Sequence, residues 1–200
     1  EIIEMGALCE EAIEAAAKAL IDGDVILAET VKENGSAIDQ MERDIESRCM
    51  KLLLHQQPVA KDLRLISAAL KIITDMERIG DQAEDIAEIV AFLNGHNMDG
   101  MKLITEMAGE TTRMVTSSVD AFVKKDVELA RNVIARDDIV DTYFSKVKRG
   151  IITWIAENPE DGEFALDLLM ISKYFERIGD HATNIAEWVI YSVTGIHKEV

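Results

Sequence analysis

The stretch "ERIGDQAEDIAE", residues 77–88, returns ninety-nine residues later as "ERIGDHATNIAE", residues 176–187, with nine of twelve positions identical. On a helical wheel at about 100° per residue, with Glu77 at zero, it sorts into two faces. Met76, Ile79, Ala83, Ile86, Val90 and Leu93 share one side, between roughly 160° and 260°. Glu77, Asp81, Glu84 and Glu88 share the other, within about 40° of zero, with Asp85 at the margin. The second copy repeats the division. Phe175, Ile178, Ala182, Ile185 and Val189 form its apolar stripe, and Glu176, Asp180 and Glu187 its acidic one. The pattern predicts one long amphipathic helix, written twice.

The duplication extends outward. "DVILAETV" (24–31) matches "DVELARNV" (126–133) at an offset of 102, and Ile38-Asp39 matches Val140-Asp141 at the same offset. The third helices align at 99, so the difference of three falls near the turns "HQQPVA" (55–60) and "ENPEDGE" (157–163), where insertions are tolerated. "IDGDV" (21–25) and "VKKDV" (123–127) mark a further pair of turns, and "NGHNMDG" (94–100) reads as the boundary between the halves. Pro58 is expected at a first helical position, and Asn158 as an N-cap before Pro159. Six helices result, ending or starting near Ile21, 24–56, 58–93, 103–123, 126–157 and 160–193. Short turns force antiparallel neighbours. The expected fold is all-α, two tandem, pseudo-symmetric three-helix bundles, residues 1–94 and 101–194.

Composition narrows the partners. The formal charge of −17 repels nucleic acid, and no basic stripe offsets it. Anionic membrane surfaces are disfavoured for the same reason, and cations or basic protein patches are the natural counterparts. Apolar residues make up 48% with only two prolines, enough for a helical core. No signal peptide is expected, and the sequence has no apolar run of about 18 residues. Cys9 and Cys49 stand alone, which suits a reduced, cytoplasmic setting with both packed as small hydrophobes. The opening "EIIEMGALCEEA" carries neither an initiator Met nor a cap, so the first helix is expected to begin upstream.

An acidic stripe on a single helix is ordinarily a solvated face, where like charges four apart repel by a few tenths of a kcal/mol. Here the acids recur in both copies together with Gly80 and Gly179. A helix-interior glycine costs about 1 kcal/mol against Ala. Its recurrence suggests that a backbone or an ion approaches there. Glu77 with Asp81, and Glu176 with Asp180, project as pairs. On the second helices Asp39 lies beside Ile38, and Asp137 and Asp141 share a face beside Val140. Pairs on adjacent antiparallel helices bring carboxylates to one spot, where a di- or trivalent cation offsets their repulsion. Oxygen ligands suit Mg or Ca, and clustered carboxylates also suit Fe, Mn or Zn.

These motifs carry a family resemblance. "QQPVAKDLRLISAALKIITDMERIGDQAEDIAE" (56–88), "ERIGDHATNIAE" (176–187), and "DVELA" (126–130) with "RDDIVD" (136–141) resemble the PhoU family over essentially the whole chain. The resemblance implies a cytoplasmic, commonly homodimeric, helical regulator. It would act with the phosphate ABC transporter, through its ATPase PstB, and with the sensor kinase PhoR, restraining starvation signalling and uptake when phosphate is plentiful. It also implies multinuclear metal clusters, one per bundle, held by paired E(D)xxxD motifs. The second bundle matches in full, with Asp137 and Asp141, and Glu176 and Asp180. The first keeps Asp39, Glu77 and Asp81, but Gly35 stands where an acid is usual. Weaker metal binding, or a smaller cluster, is expected there.

Other constellations are thin. His181 falls about 100° from the acidic stripe and corresponds to Gln82, which argues against a ligand. His55, His96 and His197 form no pattern, and no Glu-x-x-His pair of the di-iron bundle type occurs. Trp154, Trp188 and Tyr191 read as core fillers. No catalytic residue or nucleotide loop is visible. A signalling adaptor is the leading function class. A metal-dependent hydrolase or oxidase using the clustered acids, and a regulator of some other transporter, stand as alternatives.

Overall fold

The computed structural model describes residues 1–56, 58–93 and 101–196. The boundary expected at 94–100, with His96, and also His197 lie outside the described residues. Six helices follow in order: α1 Ile2–Asp22, α2 Val25–Gln56, α3 Ala60–Val90, α4 Met101–Lys124, α5 Val127–Glu157 and α6 Gly162–Thr194. A 3-10 turn, Pro159–Asp161, precedes α6. No strand occurs among the described residues.

The helix starts follow from side-chain chemistry. Asp24 accepts hydrogen bonds from the amides of Ile26 (3.0 Å) and Leu27 (3.1 Å) at the start of α2. Asp126 does the same for Leu129 (3.0 Å) at the start of α5. Each satisfies amides that lack an intrahelical partner. Two expected starts move. Pro58 lies before α3, which has the extended Val59 as its N-cap and begins at Ala60. Asn158 does not cap forward. Its side-chain amide donates to the Trp154 carbonyl (3.2 Å), closing the end of α5, and Pro159 begins the 3-10 turn instead.

Packing joins the two halves more closely than a tandem of separate bundles would. α2 lies against α1 and α3, and α5 lies against α4 and α6. α3 also runs along α6, and α1 along α4. Four inner helices, α1, α3, α6 and α4, therefore form a closed ring, with α2 and α5 on its flanks. One apolar core runs through both halves, from Met5, Ile13, Ile72, Met76 and Ile79 to Met107, Met114, Ile171, Phe175 and Ile178. Fully burying such side chains contributes about 1.5–3 kcal/mol each. The buried hydroxyls of Thr111, Ser118, Ser172 and Ser192 donate to carbonyls three or four residues back in their own helices. Buried Glu110 is neutralised by Arg113 (2.7 Å) and by Arg136. Cys9 and Cys49 are both buried free thiols. Burial pushes the Cys9 thiol up to about 12, so it packs as an inert hydrophobe. Trp154 and Trp188 pack against the same core, and the Trp188 and Tyr191 rings meet edge to face at 5.7 Å.

Candidate metal centre

The acidic stripes face open water only in part: Glu88 and Asp180 are exposed, while Glu77, Asp81, Glu84 and Glu176 are half-buried. The apolar stripe of α3 is shared between α2, α1 and α6, which turns Glu77 and Asp81 toward the groove beside α2. Both are half-buried there, as is Asp39 on α2. One carboxylate oxygen from each of Asp39, Glu77 and Asp81 lies within 4.8 Å of the others. Among the described residues no other three acidic, His or Cys side chains come together in this way. Arg78 sits at the rim, 3.0 Å from Asp81 and 3.4 Å from Glu77.

Burial, and then the charge of Asp81, hold the Glu77 carboxyl above its ordinary value, while Arg78 pulls it down. The cluster is thus under mutual repulsion that one arginine only partly relieves.

Glu84, one turn beyond Asp81, belongs to the same groove. It too is pushed up, by burial and then by Asp81 and Asp39, with Lys32 opposing. Gly35 on α2 is buried directly beneath it. A Cβ built on Gly35 would lie 1.5 Å from Oε1 of Glu84 and 2.6 Å from its Cδ. The Glu84 carboxylate therefore occupies the volume that a side chain at position 35 would take.

In the second half, Asp137 and Asp141 lie on α5 and Glu176 and Asp180 on α6. They act on one another. Burial, then Asp141, Asp180, Asp138 and Glu176, push Asp137 up to about 6. Burial and Glu176 raise Asp180, against Lys173. Lys173 pairs with Glu176 and lies over the Phe144 ring, so a cation of the chain already engages this quartet. Convergence is tighter in the first half, although the first half has the fewer acids by motif. Thr183, which corresponds to Glu84, has a buried hydroxyl without a hydrogen-bond partner.

The glycines admit a side chain of the outer helix rather than its backbone, and at Gly179 Oδ1 of Asp137 also lies 3.6 Å from where a Cβ would stand. A Cβ on Gly80 would meet Cδ1 of Ile38 at 3.1 Å, and one on Gly179 would meet Cγ1 of Val140 at 3.4 Å. Ile38 and Val140 are equivalent in the repeat. The glycine admits the partner helix's aliphatic side chain, which draws the outer helix close, rather than another backbone. His181 is not at the acids. Its Nδ1 lies 2.9 Å from Oδ1 of Asp75, which also accepts from Asn184 (3.1 Å), so it ties α6 to α3.

Sequence reasoning placed Glu84 on the acidic stripe but not against Gly35 in the groove beside α2. The signal was present in the two repeat offsets. Gly35 aligns with Asp137, and Glu84 aligns with Thr183. The acid absent from one helix is present on the other.

Fold and site together define a class: an all-helical protein of two like halves, with carboxylates gathered between the second and third helix of each. The family model described as "PhoU domain" matches residues 2–90 and again 104–189. The chain belongs to the PhoU family. It is 38% identical over 196 residues to the phosphate-specific transport system accessory protein PhoU homolog of Pseudomonas aeruginosa, covering 97% of this chain and 81% of that protein. The homolog of the same description from Clostridium acetobutylicum is 36% identical over 197 residues, covering 98% and 90%. The crystal structure of PhoU from Pseudomonas aeruginosa superposes with a TM-score of 0.94 at 38% identity, covering 98% of this chain and 94% of that one. That of the phosphate transport system regulatory protein PhoU from Streptococcus pneumoniae gives 0.89 at 26% identity, covering 100% and 94%.

Proposed function

We propose that this chain regulates phosphate-specific transport and phosphate-starvation signalling as a metal-binding adaptor. Its partners in this reading are the transporter ATPase PstB and the sensor kinase PhoR on the cytoplasmic side, where it restrains uptake when phosphate is plentiful. The near full-length likeness to accessory proteins of phosphate-specific transport supports the first part. The convergence of Asp39, Glu77 and Asp81 carries the second.

The donor set fits a hard cation. It is all carboxylate oxygen and self-repelling, half-buried in the first half and partly exposed at Asp141 and Asp180 in the second. Asp39, Glu77 and Asp81 would hold the ion in the first half, and Asp137, Asp141, Glu176 and Asp180 in the second. A bound cation supplies the positive charge that offsets this repulsion. The residues of the chain fix the spacing between outer and inner helix in each half, and so the shape of the surface offered to a partner.

The test is a pull-down with the whole chain from cells grown in high and in low phosphate, with elemental analysis of the same sample. Recovery of the transporter ATPase or of the sensor kinase, together with bound metal, is the expected result. Recovery of neither protein overturns the adaptor role. Phosphatase and peroxidase assays on metal-loaded protein address the hydrolase or oxidase alternative. Turnover that vanishes with the acidic residues would replace the adaptor reading. Light scattering tests the homodimer.

A further inference from the structure

We infer that Glu84 on α3 takes the place of the acid missing at position 35 and completes the first carboxylate site as a fourth oxygen donor. The inference rests on the reading above, that these acids hold a hard di- or trivalent cation.

The internal repeat sets the comparison. At an offset of 102, Gly35 and Asp39 on α2 correspond to Asp137 and Asp141 on α5. At an offset of 99, Glu77, Asp81 and Glu84 on α3 correspond to Glu176, Asp180 and Thr183 on α6. Each half therefore has four acids in these five positions. In the second half the fourth comes from the outer helix, with a short Thr opposite. In the first half it comes from the inner helix, with no side chain opposite.

The geometry shows that these are two fillings of one space. A Cβ at position 35 would lie 1.5 Å from Glu84 Oε1 and 3.0 Å from its Cγ. A side chain at position 35 and Glu84 as it lies here cannot share this volume, so an acid at 35 requires Glu84 to swing aside or a smaller residue at 84. The longer Glu side chain reaches from α3 across to the α2 backbone, where an Asp rooted on α2 would stand. Its carboxylate lies outside the group of three oxygens that come within 4.8 Å of one another, but close enough to feel the charges of Asp81 and Asp39. The acids alone are a cluster. The vacated side-chain position that one of them fills is the independent observation that sets Glu84 apart from Glu88, which instead pairs with Lys32 at 3.3 Å.

The second half is first silenced in the full chain with Asp137→Asn, Asp141→Asn, Glu176→Gln and Asp180→Asn. Mn²⁺ is then titrated, and the free ion is followed by electron paramagnetic resonance. Circular dichroism and melting temperature report folding of each variant. Glu84→Gln is expected to weaken Mn²⁺ binding by about tenfold or more. Glu88→Gln is expected to change it little. The double variant Gly35→Asp with Glu84→Thr, which writes the second half's pair into the first, is expected to restore binding close to that of the parent.

A folded Glu84→Gln that binds like the parent, or loses no more than Glu88→Gln, overturns the inference and leaves the metal reading standing. A loss that the double variant fails to recover overturns the exchange between positions 35 and 84. A parent that binds no Mn²⁺ overturns the inference together with the first-half metal site on which it rests.

Discussion

Lys125 holds a left-handed backbone, φ 54°, at the turn into α5. Its counterpart in the first half is Gly23, φ 64°, which ends α1 by donating its amide to the Ala19 carbonyl. A side chain at such a position costs about 1 kcal/mol or more. Lys125→Gly is therefore expected to stabilise the protein by roughly 1 kcal/mol in denaturant unfolding, less the entropy a glycine adds to the unfolded chain. No gain, or a loss, would show that Lys125 makes a compensating contact. Asp137 is the other residue whose environment is costly. Its carboxyl is raised to about 6 by burial and by four neighbouring acids. Asp137→Asn should raise the melting temperature of the metal-free protein at about pH 7 and leave it nearly unchanged near pH 4, where the folded-state carboxyl is already protonated. Equal effects at both values would point to packing rather than charge. The same substitution should weaken metal binding in the second half, so stability and binding should move in opposite directions.

At the scale of the element, each third helix is held to its second helix by a glycine facing an aliphatic side chain. The gap at Gly80 is tighter, 3.1 Å to Ile38 against 3.4 Å to Val140 at Gly179. Ala gains about 1 kcal/mol of helix propensity at either position. At Gly179 the new methyl makes ordinary contact, and the gain is largely kept. At Gly80 it presses on a fully buried Ile38 in a full core. Gly80→Ala should therefore be less stable than Gly179→Ala by roughly 1 kcal/mol, measured as the difference in unfolding free energy. The order reversed would mean that Ile38 moves aside freely. The helices themselves were legible in the sequence. The 3-4 spacing of Met76, Ile79, Ala83 and Ile86 named a face that the structure buries. Their exact starts were less legible. Asn158 can cap in either direction, and only the 3-10 turn after it decides that its amide serves the helix behind.

The whole molecule carries a formal charge of −17. Among the described residues, every carboxyl whose environment clearly shifts it, Glu42, Glu77, Glu84, Asp85, Asp137, Asp167 and Asp180, is shifted upward, each chiefly by burial. A raised carboxyl binds its proton more tightly in the folded state than in the unfolded one. Between the two values the folded chain holds more protons, so stability falls as pH rises through that window. In chelator, the melting temperature should drop as pH rises from about 4 to about 6.5, and a saturating divalent cation should restore more of it at about pH 7 than at about pH 4. A melting temperature that rises across this window, or a cation effect independent of pH, would contradict the picture of repelling acids. The sequence by itself determined the helices, their duplication and the acids that could face one another, because 3.6-residue periodicity and repeat offsets are written along the chain. Only the tertiary structure decided that the four inner helices close into one ring with a shared core. Only it decided that Asp39, Glu77 and Asp81 converge more tightly than the second quartet, where Lys173 engages Glu176. And only it decided that Glu84 fills the space left by Gly35. These outcomes depend on which helix lies beside which and at what distance, and a linear pattern does not encode the gap across a groove.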